Sequence, residues 1–447
     1  MFGLGPEWVL SDDGTPIADA MVFSHPEQVA RLAEACPEAL PTAVLAGDPC
    51  FDRILAARRH RDRYRRALGV RPGQRLVLLN STWNPTSLFG DAGPEDVLPL
   101  LLPRLTSELP VDEYRVAAVL HPNVWHGHGP GQIRLWLDRA RRAGLALVDP
   151  LEGWRQALIA ADLVLGDFGS VSYYAAACGT PVLLGAADPD VLGASSPVAA
   201  FVRSAPRLDP YGALLPQVEE VLAGHRPLEG PATLTSSDPG RSAELLRGLF
   251  YELIGIPEPT APALLDPLPL PPYEPPLRTA PLHVLTSTAA DGTVSVQRFA
   301  EPRHDPGGEG EGHLAVHEET LDPGVLDLAD VVLRYGEADD PRFGSPLEWA
   351  AEVLGRHRYA SLAAYVTGPR ECTVLHRSGL LLRLTADADG DPGAHASALH
   401  ARLRTGSDPT ELAATGLTVR TGSRRERVRV RVTGPRDGTG PAGPPGS

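Results

Sequence analysis

A short turn near the middle of the chain carries residue types that bind phosphate. An apolar run of strand type at residues 163–165 leads into Asp167, Phe168, Gly169 and Ser170, and a helix of small residues is predicted from about 171 to 178. The first turn of such a helix points unpaired backbone N–H groups and the positive end of its dipole at a bound anion. The sequence therefore predicts a phosphate site at Gly169 and Ser170.

Two residues of this turn have alternative roles. Ser170 is unsuited to be a serine-hydrolase nucleophile, because that motif requires glycine where Phe168 and Ser172 stand. Asp167 either orients Ser170 and contacts hydroxyl groups of a ligand, or only caps the helix that begins after the turn. Phosphate contact is the prediction for Ser170, and both roles stay open for Asp167.

Histidines are the other candidates for chemistry. His121 directly follows a predicted strand, where an imidazole can hydrogen-bond a phosphate oxygen; the alternative is a loop histidine held by Asn123. His126 and His128 come next, but no carboxylate or cysteine lies nearby at ligand spacing, so no metal site is predicted. His25 is a weak candidate for a general base across a cleft, and a surface turn explains it equally well.

These residues need a scaffold that brings strand ends together. Short apolar strands are predicted at residues 76–79, 115–120, 146–148, 163–165 and 182–184, alternating with helices. This pattern is typical of a doubly wound parallel sheet, in which ligands sit beyond the carboxyl ends of the strands. Residues 71–254 are therefore predicted to form a Rossmann-like domain that binds a nucleotide.

The segments on either side of this domain are less complete. Residues 1–70 are predicted to form a partial α/β segment with strands at 20–23 and 42–46, a helix at 26–35 and a basic helix at 54–68. Too few elements are present for an independent core, so this segment must pack on the Rossmann-like domain. Residues 255–281 include ten prolines, which predicts a semi-rigid extended linker and a C-terminal unit that moves independently.

The C-terminal part is predicted to be a separate α+β domain over residues 282–433, of unknown role. An amphipathic helix is predicted at 346–364. The last strand, at 427–432, alternates arginine with valine, which favours a charged edge strand over a phosphate or nucleic-acid patch. Residues 434–447 are predicted to be a disordered tail.

Composition excludes several classes of protein. All 41 basic residues are arginine, so no Schiff-base or Walker A lysine exists. A net charge of −15 argues against a general nucleic-acid binder. The four cysteines lack metal-ligand spacing, and neither a signal peptide nor a membrane-spanning run is recognised. The expectation is a cytoplasmic protein with reduced thiols.

Five short motifs, in order, make residues 40–250 resemble the donor-binding half of GT-B-fold transferases, closest to the CDP-glycerol glycerophosphotransferases. Asp167–Ser170 with Pro181 match the family's Asp-aromatic-Ser-Ser turn and its later Pro, and Gly47–Asp52 match its Gly-x-Pro-Arg-x-Asp turn. Ser81–Asn84 match its Pro-Thr-Trp-Arg. His121 matches its donor-site His, and Gly240–Ser242 match its Gly-Arg-Ser. Gly169 stands where the family has its first serine. The family's catalytic Trp-His-Gly lies in its N-terminal half, whereas Trp125, His126 and Gly127 lie in the donor half here.

The resemblance implies a GT-B-type doubly wound sheet with an incomplete N-terminal half. It also implies a set of donor-binding residues, namely Thr82, His121, Asp167, Gly169, Ser170, Arg241 and Ser242. The implied activity is transfer from a nucleotide-diphosphate-activated donor to a cell-envelope or polyol-phosphate acceptor, without a cofactor and without nucleic acid. Such a protein would meet the membrane only through its substrate.

Two other functions remain open. A sugar-nucleotide glycosyltransferase or 2-epimerase of the same fold also fits the Asp-x-Gly-Ser turn, although the Glu-Ala pair expected in the helix is replaced by Tyr174 and Ala175. A non-catalytic nucleotide-binding or scaffold protein fits the short N-terminal segment.

Overall fold

A computed structural model describes residues 3–90, 96–189, 192–300 and 310–433. The tail predicted at 434–447 lies outside the described residues. Within them, two parallel sheets and one closed barrel follow one another along the chain. No helix among the described residues has both the length and the apolar character needed to cross a bilayer.

The N-terminal segment forms a two-stranded parallel sheet with helices. Its elements are α1 (Pro6–Val9), β1 (Met21–Phe23), α2 (Pro26–Ala35), β2 (Ala43–Leu45), α3 (Pro49–Ala57) and α4 (Arg61–Ala67), with 3₁₀ turns at Pro37–Thr42 and Arg58–His60. The basic helix predicted at 54–68 is therefore two helices. Asp48 caps α3 by accepting from the N–H groups of Cys50 and Phe51, and Pro49 takes the first helical position. This cap starts α3 five residues before the predicted helix start.

The central unit is the doubly wound parallel sheet that the sequence predicts. Its elements are β3 (Arg75–Ser81), α5 (Leu98–Ser107), β4 (Tyr114–Leu120), α6 (Pro122–His128), α7 (Pro130–Trp136), α8 (Asp138–Arg142), β5 (Ala146–Leu147), α9 (Trp154–Ala160), β6 (Leu163–Gly166), α10 (Ser170–Ala177), β7 (Val182–Leu184), α11 (Pro197–Ser204), α12 (Leu214–Gly224), α13 (Glu229–Leu234) and α14 (Ser242–Ile254). All five strands are parallel in the order β5-β4-β3-β6-β7. The chain reverses its winding direction between β3 and β6, and this switch point is where such sheets open a crevice for ligands.

The N-terminal segment packs on the central unit through charged contacts. Asp162, just before β6, bridges Arg61 at 2.6 Å and Arg65 at 2.7 Å on α4, and it also accepts the Leu76 N–H at 2.6 Å. The carboxylate thus ties α4 to two neighbouring strands of the sheet.

The proline-rich segment 255–281 has no helix or strand, but it is not free. Tyr64 donates to the Leu268 carbonyl at 3.3 Å, Gln156 donates to that of Pro269 at 2.9 Å, and Leu268 is buried. The segment thus lies along the central unit.

The C-terminal part, predicted as an α+β domain, contains both helices and strands, and its nine strands form a closed barrel. Its elements are β8 (Leu282–Thr288), β9 (Thr293–Ala300), β10 (Glu311–His317), α15 (Pro323–Asp327), β11 (Val331–Tyr335), α16 (Pro346–Arg356), β12 (Leu362–Val366), β13 (Glu371–His376), β14 (Leu381–Ala386), α17 (Pro392–Arg404), α18 (Pro409–Thr415), β15 (Leu417–Thr421) and β16 (Arg424–Thr433). Helix α17 contacts strands around the barrel, and its residues 392–401 are all buried. Four of those residues are alanines, whose small side chains suit a helix enclosed by strands.

Two sequence predictions for this part are wrong. The helix predicted at 346–364 ends at Arg356, and β12 follows as a fully buried strand. Strand β16 is not an edge, because β14 and β15 pair with its two sides. A closed barrel has no edge, so the alternating pattern instead buries Val428 and Val430 and exposes the intervening Arg429.

The barrel is joined to the central unit by buried ion pairs. Arg298 on β9, 1% exposed, contacts Asp112 of the central unit at 2.6 Å and Asp391 at 2.7 Å. Arg71 reaches both carboxylates at 3.2 Å, and Arg278 reaches Asp391 at 2.9 Å. The Arg298 charge and its hydrogen bonds outweigh burial and hold the pKa of Asp112 and of Asp391 below the ordinary range. These contacts fix the barrel against the central unit, which corrects the independent motion predicted from the prolines.

Candidate functional site

Five of the predicted site residues, namely Thr82, His121, Asp167, Gly169 and Ser170, lie at the carboxyl ends of three adjacent strands. Ser81 at the end of β3 pairs with Leu120 at the end of β4, and Leu79 pairs with Leu165 of β6. Thr82 and His121 follow β3 and β4 directly, and Asp167 follows β6. The sheet therefore brings all three to one edge, at the switch point between β3 and β6.

Asp167 holds this edge together. Its side chain is fully buried, and one carboxylate oxygen accepts from the N–H groups of Thr82 at 2.8 Å and Leu88 at 3.1 Å and from the Ser81 hydroxyl at 3.2 Å. The other oxygen accepts the Gly169 N–H at 3.0 Å. Burial raises the pKa of Asp167, while the bonds from Leu88, Thr82 and Gly169 oppose the rise. The geometry thus makes Asp167 a positioning residue that links the two loops.

Replacing Asp167 with asparagine is expected to destabilise the protein by about 1–3 kcal/mol. The amide keeps the shape, but its NH₂ group must face N–H donors that the carboxylate now satisfies. Denaturant unfolding of Asp167→Asn measures the loss, with Asp149→Asn as the control, because Asp149 is exposed and makes an Asx turn that asparagine also makes. Equal midpoints for both variants would contradict the role given to Asp167.

The N-terminus of α10 is open to a ligand. Gly169 is its N-cap residue, and no side chain caps the helix. Among the described residues, the N–H groups of Ser170, Val171 and Ser172 and the exposed Ser170 hydroxyl have no hydrogen-bond partner. Ser172 is fully buried, so the accessible N–H groups are those of Ser170 and Val171. Helix N–H groups without partners are the donors that bind anions.

Steric crowding explains why position 169 is glycine. A Cβ added there would lie 3.0 Å from an Asp167 carboxylate oxygen and 3.1 Å from Cβ of Thr82. The family's serine at this position would therefore press on both loops. Thr82 and Gly169 are in close contact, as expected of residues on the same crevice.

His121 is held in one tautomer. Its Nδ1 accepts the Asn123 N–H at 3.1 Å, so the proton of the neutral ring is on Nε2. Burial lowers the pKa of His121, which favours the neutral ring. The Trp83 ring lies 6.1 Å from the imidazole, centroid to centroid, and is 52% exposed. The site thus offers a neutral N–H donor beside an accessible aromatic face.

His25 has the same local geometry on the N-terminal sheet. It follows β1, caps α2, and accepts the Glu27 N–H on Nδ1 at 3.1 Å. Glu27 acts electrostatically on Tyr173 in the first turn of α10; burial and then this charge raise the pKa of Tyr173 to about 12. Glu27, two residues after His25, is therefore near enough to α10 for its charge to act there. While His25 caps α2, however, the neutral ring carries its proton on Nε2 and cannot accept another there.

Two of the motifs behind the resemblance form a structural joint. The buried Asp52 carboxylate accepts from the N–H groups of Gly240 at 2.6 Å and Ser242 at 3.0 Å, and from the Ser242 hydroxyl. The first N–H group of α14 and the Ser242 hydroxyl are thereby bonded within the protein. Arg241 is more than half exposed and pairs with Glu244 at 3.2 Å. The geometry therefore does not offer Ser242 to a donor and leaves only Arg241 accessible.

Other contacts of the site could not be anticipated from the motifs. Tyr174 on α10 donates to the second carboxylate oxygen of Asp48 at 2.7 Å, which connects α10 to the N-cap of α3. Asn80 on β3 donates to the Ser172 hydroxyl at 3.1 Å. The only sequence signal was Asp48 before Pro49, a typical N-cap pair. The structure thus gives Tyr174, which replaces an expected Glu-Ala pair, a bracing role.

His126 and His128, the other histidines of the predicted loop, lie on α6. His126 is exposed on α6, and His128 packs against Trp136 with ring centroids 5.0 Å apart. In the described part of the chain, no three His, Cys, Asp or Glu side chains are arranged to hold a metal ion.

Comparison of the sequence with known proteins finds no matching family model and no curated relative. Solved structures do match. The wall teichoic acid polymerase TagF matches over 53% of this chain and 58% of its own, with a TM-score of 0.40 and 16% identity. The UDP-GlcNAc 2-epimerase of Neisseria meningitidis matches over 53% and 61%, with a TM-score of 0.33 and 12% identity.

A glycosyltransferase from Rickettsia africae ESF-5 matches over 53% of this chain and 64% of its own, with a TM-score of 0.31 and 10% identity. The chain thus spans less than two thirds of each of these proteins. They include the kind of transferase that the sequence resembles. At these TM-scores they bear on neither the ligand nor the activity of this chain.

Proposed function

We propose that this protein is a transferase that binds a nucleotide-diphosphate-activated donor at the switch point between β3 and β6. The observation that carries the proposal is the open N-terminus of α10. The accessible N–H groups of Ser170 and Val171, which have no hydrogen-bond partner among the described residues, and the exposed Ser170 hydroxyl lie at the edge of the sheet where His121 presents Nε2–H. These are donors for the oxygens of a pyrophosphate.

The same donors would assist departure of a phosphate leaving group. Negative charge grows on the oxygen that leaves, and preorganised N–H groups stabilise charge most where it develops. His121 acts here as a neutral hydrogen-bond donor, because its Nδ1 is occupied by Asn123. The exposed face of Trp83 is available to the nucleotide base. Asp167 keeps the two loops in register and does not touch the donor.

For the finer activity we propose a CDP-glycerol glycerophosphotransferase. An acceptor hydroxyl would attack the outer phosphorus of CDP-glycerol; the new P–O bond forms, the bond to CMP breaks, and the acceptor proton passes to a base. This activity rests on the sequence resemblance. His25 serves as the base only after it releases the cap of α2.

A second candidate is a nucleotide-binding protein without catalysis. The capped state of His25 favours it, since that ring has no free acceptor nitrogen. Phosphorus NMR separates the candidates. Release of CMP from CDP-glycerol, or of UDP from a UDP-sugar, in the presence of glycerol phosphate supports a transferase of the corresponding donor class. Saturable nucleotide binding with neither product identifies the second candidate.

A proline at position 170 tests the site without disturbing the helix. Ser170 is the first helical residue, where proline is tolerated, and Gly169 has φ −70° and ψ 168°, as proline prefers in the residue before it. Ser170→Pro removes one N–H and the hydroxyl. Because a hydrogen bond to a charged group contributes about 1.5 kcal/mol or more, CDP and UDP affinity should fall at least about tenfold.

Titration calorimetry with CDP, UDP, CDP-glycerol and a UDP-sugar measures this loss. His121→Ala is expected to weaken binding to a similar extent. His126→Ala should leave binding unchanged, because His126 is an exposed residue of α6, the helix that contains Asn123. Wild-type affinity in a folded Ser170→Pro variant would refute the site.

A further inference from the structure

A large apolar cavity lies beside α5 and α7, between the central unit and the barrel. Its volume is about 680 Å³, within the range of small-molecule sites. The walls come from α5, from α7 with α8, from residues 279–281, and from residues 320–325 at the start of α15. The cavity is therefore enclosed jointly by the central unit and the barrel.

The cavity walls are aliphatic and aromatic. Leu98, Leu102, Ile133, Trp136 and Val325 are among the lining residues. Leu135 and Leu321, which also line it, are 68% and 65% exposed. Exposed leucines on both sides of an apolar cavity indicate a mouth through which an apolar ligand enters.

The charged side chains that line the cavity do not require a charged ligand. Asp138 pairs with Arg142 at 2.8 Å, and Arg142 also donates to the Thr279 hydroxyl at 3.3 Å. Asp322 caps α15 by accepting the Val325 N–H at 3.1 Å. With Arg139, the lining holds two acidic and two basic residues, so its formal charge is zero. An occupant is therefore recognised by apolar contact.

The size of the cavity selects among apolar occupants. A helix about 10–12 Å wide with a 5.4 Å pitch fills about 500 Å³ per turn, so the cavity accepts little more than one turn. A flexible hydrocarbon chain can follow a cavity of this shape without leaving polar backbone groups unsatisfied. We propose that this cavity binds the hydrocarbon chain of a small amphiphilic molecule.

The cavity shares a wall with the candidate nucleotide site but does not depend on it. Leu120 lines the cavity and directly precedes His121, and Phe89 lines it and donates its N–H to the Ser81 hydroxyl at 2.8 Å. An occupant would therefore lie next to the loop after β3 and the end of β4, which precedes His121. The inference goes beyond the proposed function and holds whether or not a nucleotide binds.

The test uses fluorescent 11-(dansylamino)undecanoic acid on the full chain, displaced by caprate, laurate, myristate and 1-tetradecanol. Affinity is expected to rise about fourfold for each methylene added, at about 0.8 kcal/mol each. Myristate and tetradecanol should compete about equally, because the lining carries no net charge. Absence of saturable binding, or affinity independent of chain length, overturns the proposal.

Variants locate the binding. Leu135→Asp and Leu321→Asp place charges at the exposed mouth and should each weaken binding at least about tenfold, and Leu102→Trp should do the same by filling the cavity. Leu264→Asp is the control, because Leu264 is 87% exposed and does not line the cavity.

Light scattering of the wild type and of each variant completes the test. A wild-type dimer that the mouth variants convert to monomer would show a second copy of the chain as the occupant and overturn the proposal.

Discussion

Replacing Arg298 with methionine is expected to cost about 3–5 kcal/mol of stability, because it leaves two buried carboxylates without their main partner. Arg298 makes a bidentate contact with Asp112, with 2.8 Å and 2.6 Å bonds, and reaches Asp391 at 2.7 Å. Arg71 remains near both carboxylates and Arg278 near Asp391, but both arginines are more exposed than Arg298. Methionine has a similar volume, so the loss measures charge rather than a cavity.

Guanidinium unfolding followed by circular dichroism measures the effect. Arg383→Met is the matched control, since Arg383 lies exposed on the outer face of β14 and forms no ion pair with any residue that the structure describes; it should change stability by less than about 0.5 kcal/mol. If Arg298→Met and Arg383→Met unfold at the same midpoint, the ion pairs do not fix the barrel to the central unit.

Acid is expected to destabilise the barrel well above the pH at which carboxylates titrate. Burial, followed by the nearby His400, Arg404 and His283, lowers the pKa of His313 to about 3. Burial and then Arg334 lower the pKa of His317 to about 4. The unfolded chain has a histidine pKa of about 6.5.

These pKa values set the direction of the effect. Between about pH 6.5 and 4 the unfolded state binds protons that the folded barrel excludes, so stability falls as pH falls. Each histidine contributes about 1.4 kcal/mol per pH unit, and the pair costs about 5 kcal/mol between pH 6.5 and 4.5. Their stabilisation is therefore complete above about pH 6.5.

Unfolding free energies from pH 7.5 to 4.5 test this for the wild type and the double variant His313→Gln, His317→Gln. The slope against pH should fall by about two protons in the variant. Comparing slopes cancels the other titrating groups, including Asp167, and remains informative if the variant is less stable. Equal slopes would show that these histidines are protonated in the folded barrel.

The central sheet was predictable because each of its strands can be recognised from a short stretch of sequence. Each strand from β3 to β7 is a short apolar run with turn residues beside it, and each connection contains helices, so the order of elements specifies a parallel sheet. The barrel was not predictable in this way. Its closure depends on β9 pairing with β15, more than 120 residues later, and on a helix that the strands enclose. Nothing near β16 distinguishes a strand paired on both sides from a charged edge.

The candidate site was predictable to the same extent. The turn at Gly169 and Ser170 and the position of His121 follow from strand ends, which are visible in the sequence. The role of Ser242 could not be predicted, because its partner Asp52 lies 190 residues away in the sequence. Asp167 was left with two roles because its partners Thr82 and Leu88 come from another loop. Hydrogen-bond partners that are distant in sequence decide whether a polar residue faces a ligand or the protein.

The most direct test of a nucleotide site at α10 follows the backbone amides of this helix by ¹H–¹⁵N TROSY NMR during titration with CDP and UDP. The N–H groups of Ser170 and Val171 should shift together and saturably, because they gain an anionic acceptor. At a subsaturating ligand concentration the shifts should be much smaller in His121→Ala, whose affinity is expected to be about tenfold lower. The Gly169 amide, already bonded to Asp167, should shift less. Saturable shifts confined to other parts of the chain, or no shifts from a folded sample, would contradict a nucleotide site at this helix.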